Sequence, residues 1–257
     1  MQITLLLAIL LPLCLNGINR SNDQDFAELP PQNNTLFEHV ADIPLPAGYR
    51  RIETSPQSFG SWLRKIRLKS DNTVYLYDGT KKYNQDAQYA VLNIPVGKKD
   101  LQQCADAVMR LRAEYLINSG RRSEICFIDN AGKRYLCPAE PGTAAFERFL
   151  ERVYSYCGTS SLSRQLKPVV DFKQIQPGDI LIKGGFPGHA VIVMDVAENK
   201  SGQKIYMIAQ SYMPAQSIHI LKNPSRKDIS PWYLADSTSA LIITPEWSFN
   251  NTQLMHW

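Results

Sequence analysis

The chain has 257 residues, 44% hydrophobic and 20% charged, a size and balance suited to one sizeable soluble domain or two small ones. Its net charge of +4 comes from 28 Lys and Arg against 24 Asp and Glu scattered without blocks, so nothing asks for a nucleic-acid partner. The five cysteines include no Cys-x-x-Cys pair and have no histidine close by in sequence, so no metal or other cofactor is expected.

Residues Ile3 to Leu15 (ITLLLAILLPLCL) form an apolar run too short to span a bilayer comfortably, and Asn16, Gly17, Asn19 and Arg20 break it. Residues 1–18 therefore read as a secretory signal segment, although the stretch before the run carries no Lys or Arg. Leu13, where a small residue would precede a lipidated cysteine, favours ordinary cleavage or an uncleaved anchor over lipidation of Cys14. No later run is long enough for a second span, so no transmembrane domain beyond that segment is expected. Export leaves Cys104, Cys126, Cys137 and Cys157 in a setting that permits disulfides.

Residues 19–46 are polar with scattered prolines and read as an extended arm, followed by a single α+β domain over 47–245 that Gly48 to Ile52 opens. Ser58 caps a short helix with Phe59, Trp62, Leu63 and Ile66 on its apolar face and Arg64 and Lys65 outside. Strands are predicted over Thr73–Tyr77 and Gln88–Ile94. The amide-rich stretch Asn84 to Gln88 either lines a polar substrate groove, with Asp86 and Gln88 as contacts, or is a solvated loop. Asp100 is the expected N-cap of the next helix, with Gln103 completing a capping box and the helix running to Leu116. Leu101, Cys104, Val108, Leu111 and Tyr115 form its inward stripe, and Asp106, Arg110 and Glu114 lie elsewhere on its surface. Cys104 thus falls in the first turn. There the helix dipole and unpaired N–H groups lower a thiol pKa, although an inert core thiol would occupy the same stripe.

Cys126 and Cys137 flank a hairpin turning at Asp129 to Gly132, where a cross-strand disulfide is open but opposed cysteines often have poor bridge geometry. Thr143 caps a further helix with Phe146, Phe149, Leu150 and Val153 inward, and Gly158 ends it. Pro177-Gly178-Asp179 then opens the buried strand Ile180 to Ile182. A glycine-rich loop over Lys183 to Gly188 follows, and His189 begins the apolar strand Ala190 to Met194. The glycines suggest close approach of another backbone or of a ligand. Strands over Lys204–Ser211 and Ser217–Leu221 complete the domain, and residues 246–257 read as a tail ending in exposed aromatics.

The succession PGD, apolar strand, glycine loop, Gly188-His189, apolar strand resembles the catalytic half of NlpC-type cell-wall peptidases, which are secreted papain-like thiol hydrolases. The resemblance implies a papain-like (NlpC-type) core, an antiparallel sheet packed against helices. By type and order it assigns catalysis to Cys104 as nucleophile, His189 as base and Gln210, on the next strand, as the group that orients the imidazole. NlpC-type enzymes carry the cysteine on the helix leading to the PGD strand. Here that is the helix capped by Thr143, and its start has no cysteine. Either Cys104 serves from an earlier helix, or the fold only binds.

Over most of the span from Gly48 to Tyr233, phrases such as FGSWLRKI, DLQQCADAVMRLRAEYL, PGHAVIV and AQSYMPAQSIHIL are similar to an uncharacterised family of secreted bacterial proteins. That family is known only as a domain of unknown function. The expectation is an exported protein of the bacterial periplasm or cell envelope, acting as a cysteine-dependent amide hydrolase on cell-wall peptide. The alternative is a non-catalytic envelope module that holds a peptide or glycan through Asp86, Gln88, Gln210 and Gln216; a purely structural envelope protein is the third reading.

Overall fold

The computed structural model describes residues 37–138 and 142–257. The signal segment, Cys14 and the first part of the arm, residues 19–36, lie outside the described residues. In chain order the elements are β1 (Tyr49–Arg51), α1 (Phe59–Arg64), β2 (Gln88–Val91), α2 (Cys104–Asn118), the hairpin β3 (Cys126–Ile128) and β4 (Arg134–Leu136), α3 (Ala144–Tyr156) and α4 (Thr159–Ser163). The second half is strands: β5 (Lys167–Pro168), β6 (Ile180–Lys183), β7 (His189–Asn199), β8 (Lys204–Gln210), β9 (His219–Leu221), β10 (Tyr233–Leu234), β11 (Leu241–Ile243), β12 (Ser248–Asn250) and β13 (Leu254–His256).

The fold is mixed α+β around one large antiparallel sheet in the order β2-β9-β8-β7-β6-β13-β5, with β1 added beside β7 and β10 beside β8. The eleven residues of β7 are buried over all but the last two, which explains the apolar run Ala190 to Met194. Alternate residues of the central strands serve different cores. Ile180, Ile182, Ala190 and Ile192 meet α2 and α3, while Leu181, Val191 and Val193 meet Phe172, Ile175, Phe249 and Leu254.

Between Val193 and Asp195 the β7–β8 register shifts, and Asp195 is fully buried. Its two carboxylate oxygens each accept from an arginine, Arg51 Nε and Arg64 Nε, both at 2.7 Å. Arg64, expected on the outer face of its helix, instead ties α1 to β7, because a buried carboxylate requires compensating charge.

Several sequence expectations change. Residues 37–46 belong to the folded body rather than to an extended arm: Val40 and Ile43 are fully buried, and Pro44 accepts a hydrogen bond from Trp232 Nε1 at 2.8 Å. Thr73 to Tyr77 form isolated bridges, Tyr75 with Lys81 and Leu76 with Gln216, rather than a strand. Helix α2 starts at Cys104, with Gln103 as N-cap and Asp106 as the carboxylate that closes the box; Asp100 stands outside it. Asp106, placed on the surface by the periodicity, is buried because α2 is covered on most sides. The tail is also structural: β13 is inserted between β6 and β5, and Phe249 and Leu254 are fully buried. Finally, Cys126 pairs with Leu136, so Cys137 is offset by one residue and falls on the opposite face of the hairpin, which does not suit a cross-strand disulfide.

Candidate functional site

Two glycines explain how His189 reaches its position. Gly178 of the PGD turn has φ +97°, and a Cβ there would lie 2.7 Å from Phe59 Cδ1, so the turn is seated against α1. A Cβ on Gly188 would lie 2.3 Å from Thr159 Oγ1 and 2.6 Å from two carbonyl oxygens of its own loop. What approaches these glycines is therefore α1 at Gly178, and α4 and the loop backbone at Gly188, rather than a ligand.

The start of α2 is tied to the end of β8. Ser211 Oγ lies 2.9 Å from the carbonyl of Gln102, and the Ala215 N–H donates to Asp100 Oδ1 at 2.7 Å. Cys104, the first helical residue, is only partly buried, and the backbone N–H of Ala190 is near enough to favour its thiolate form. The thiol thus meets the strand that begins with His189. His189 in turn is bonded through Nε2 to Gln210 Oε1 at 2.8 Å. An amide oxygen only accepts, so in this arrangement the imidazole proton sits on Nε2 and the lone pair on Nδ1. His189 and Gln210 are thus bonded side chain to side chain, and Tyr212 packs on the imidazole while lying within electrostatic reach of Cys104.

Around the imidazole stand Tyr212, Trp247 and Phe249, with ring centroids 4.7, 5.3 and 5.7 Å away. Burial pushes the Cys104 thiol up to about 11, helped by the Asp106 carboxylate and opposed by the N–H groups of Ala190 and the helix start. The expected lowering by the helix end is thus outweighed. Burial also pushes His189 down to about 4, against the pull of Gln210 and Glu246. At neutral pH the resting pair is a thiol and a neutral imidazole.

The residues proposed to hold a substrate are placed differently from one another. Asp86 is exposed and its backbone N–H donates to Asn84 Oδ1. Gln88 is buried, with its Nε2 donating to the carbonyl of Asn72 and to Gln85 Oε1, which makes it a brace for its own loop. Gln216 is buried beside Ser211, and its Oε1 has no hydrogen-bond partner. The amide-rich loop turns toward Glu246 instead: Lys82 Nζ donates to Glu246 Oε2 at 2.5 Å and Asn84 Nδ2 to Oε1 at 3.2 Å. Glu246 Oε2 also accepts from Gln210 Nε2 at 2.8 Å.

Glu246, Lys82 and His219 were not singled out from the sequence. Glu246 sits in a stretch that reads as a tail and gives no local signal. His219 gives no signal of its own either, since the β8–β9 register that sets it directly opposite Gln210 is visible only in the fold. Among the described residues, no group of three His, Cys, Asp or Glu side chains is arranged to hold a metal ion. A cavity of about 740 Å³ between β5 and the PGD turn is lined by Lys173, Asp179 and Lys204 and by none of the residues above.

Comparison with known proteins gives one finding. The family model described as a domain of unknown function (4846) matches residues 40–138 and 137–256, and the chain belongs to that family. No curated protein and no solved structure matches the chain.

Proposed function

We propose that this member of the family is a cysteine-dependent amide hydrolase on a papain-like fold, exported to the bacterial periplasm or envelope and acting on cell-wall peptide. The observation that carries the reading is that helix α2, which begins at Cys104, packs on β7 and β8, the strands that carry an imidazole and the Gln210 amide already bonded to it. Export rests on the apolar run Ile3 to Leu15.

In this reading the Cys104 sulfur attacks the amide carbonyl while His189 Nδ1 takes the thiol proton, since the resting pair is neutral. N–H groups at the start of α2 face the oxyanion. His189 then gives the proton to the departing amine, leaving a thioester. Water attacks the thioester with its proton passing to His189, the carboxylic acid leaves, and the thiol is restored.

The test is the release of new amino groups from purified cell-wall peptide by the chain lacking residues 1–18. Turnover is expected with wild type, complete loss with Cys104→Ala, and a fall of about 10²-fold or more with His189→Ala. Turnover that persists in Cys104→Ala overturns the reading.

A second reading, a non-catalytic peptide-binding module, is favoured by one observation: a thiol raised to about 11 holds little thiolate at neutral pH. It predicts equal binding of the peptide by wild type and Cys104→Ala, with cleavage by neither.

A further inference from the structure

We propose that Glu246, assisted by His219, is a positioning residue that locks the side-chain amide of Gln210 and thereby dictates which nitrogen of His189 carries the proton. The catalytic use of that tautomer rests on the hydrolase reading, but the lock itself does not.

Gln210 is fully enclosed, and its amide can face His189 with either its oxygen or its nitrogen. The first choice makes His189 an Nε2–H imidazole with a free Nδ1; the second reverses this and removes the base. The neighbours on the far side of the amide decide. Glu246 Oε2, 2.8 Å from Gln210 Nε2, is a carboxylate oxygen paired with Lys82 and only accepts. His219 Nε2 lies 3.4 Å from the same nitrogen. The Nδ1 of His219 is 2.8 Å from the Ser217 carbonyl, which also only accepts, so the ring proton of His219 is on Nδ1 and its Nε2 offers a lone pair. Both far-side neighbours therefore ask for the amide nitrogen, which leaves the oxygen for His189.

Glu246 is itself fixed. Lys82 and Asn84 each donate to one of its oxygens, and Lys82 is more buried than its partner. The titratable and charged groups bearing on the His189 ring are thus Glu246 and Lys82, beyond Gln210, and Tyr212 against its face. A flipped amide would turn its oxygen onto the Glu246 carboxylate and the His219 lone pair, with no donor there to meet it, and its N–H groups toward His189.

The experiment is nitrogen NMR of the histidine rings in the full folded chain, with His189 and His219 resonances assigned by single His→Gln variants. Wild type at neutral pH is expected to show His189 protonated only at Nε2 and His219 only at Nδ1. Glu246→Gln, whose side-chain oxygen still accepts from Gln210, keeps that pattern. Glu246→Leu moves the His189 Nδ1 resonance toward the protonated region, as amide orientations mix. A wild-type His189 protonated at Nδ1 overturns the proposal even if no Glu246 variant folds. So does a His189 pattern unchanged in a folded Glu246→Leu. Neither measurement uses turnover, so a chain that proves inactive while showing the expected ring patterns refutes the hydrolase reading and leaves the lock standing.

Discussion

At the level of single residues, the thiol and the imidazole are governed by what surrounds them more than by where they sit in sequence. Cys104 stands at a helix start, the position that ordinarily favours thiolate. Yet burial and the Asp106 carboxylate raise it to about 11. The chemistry this leaves is base-assisted attack, in which the proton moves as the bond forms. A pH titration of thiolate absorbance, taken as the difference between wild type and Cys104→Ala, is therefore expected to have its midpoint near 11. A midpoint below about 8 would mean an ion pair at rest and a different first step. The Nε2–H form of His189 follows from Gln210, and no inspection of the sequence around His189 reveals it, since Glu246 and His219 come from other segments.

At the level of elements, β7 carries the molecule, and Asp195 is its one buried charge in an otherwise apolar run. Replacing Asp195 by Ala leaves Arg51 and Arg64 facing each other without a counter-charge. The expected loss is about 3–5 kcal/mol, measured from denaturant midpoints at constant slope; a loss below about 1 kcal/mol would show that the arginines find water instead. The elements that could be read from sequence were those whose apolar pattern is local. These are α1 and α3 with their Ser58 and Thr143 caps, and the run from β6 to β9. Those that could not be read depend on distant partners. Strand β13 is three residues long and exists because β6 and β5 lie on either side of it. Thr73 to Tyr77 has the residues of a strand but finds only the short bridges to Lys81 and Gln216. The start of α2 moved by several residues because Asp106 caps Gln103 while Asp100 is used by Ala215.

At the level of the whole molecule, buried titratable groups set opposing pH responses. His189 and His219 are both held down near 4 by burial, so the unfolded chain binds protons that the native one refuses. Stability is therefore full above about pH 6.5 and falls as the pH drops toward 4, by roughly 3 kcal/mol for each histidine. Asp179, buried in the PGD turn and raised to about 7, acts in the other sense and costs stability as the pH rises from about 4 to 7. Asp179→Asn keeps an acceptor for the Gln176 N–H and removes that cost. It is expected to gain about 1 kcal/mol or more at pH 7 with no gain at pH 4, read by denaturation at the two pH values; an equal change at both would assign the effect to packing. The site too is a property of the whole chain, since Cys104, His189 and Glu246 come from its middle, its late strands and its last residues. That convergence is tested most directly by the rate at which iodoacetamide alkylates Cys104 in the native protein at neutral pH. The account predicts modification at Cys104 that slows by about tenfold or more in a folded His189→Ala variant. Equal rates in the two proteins, or no reaction at Cys104 in either, would contradict it.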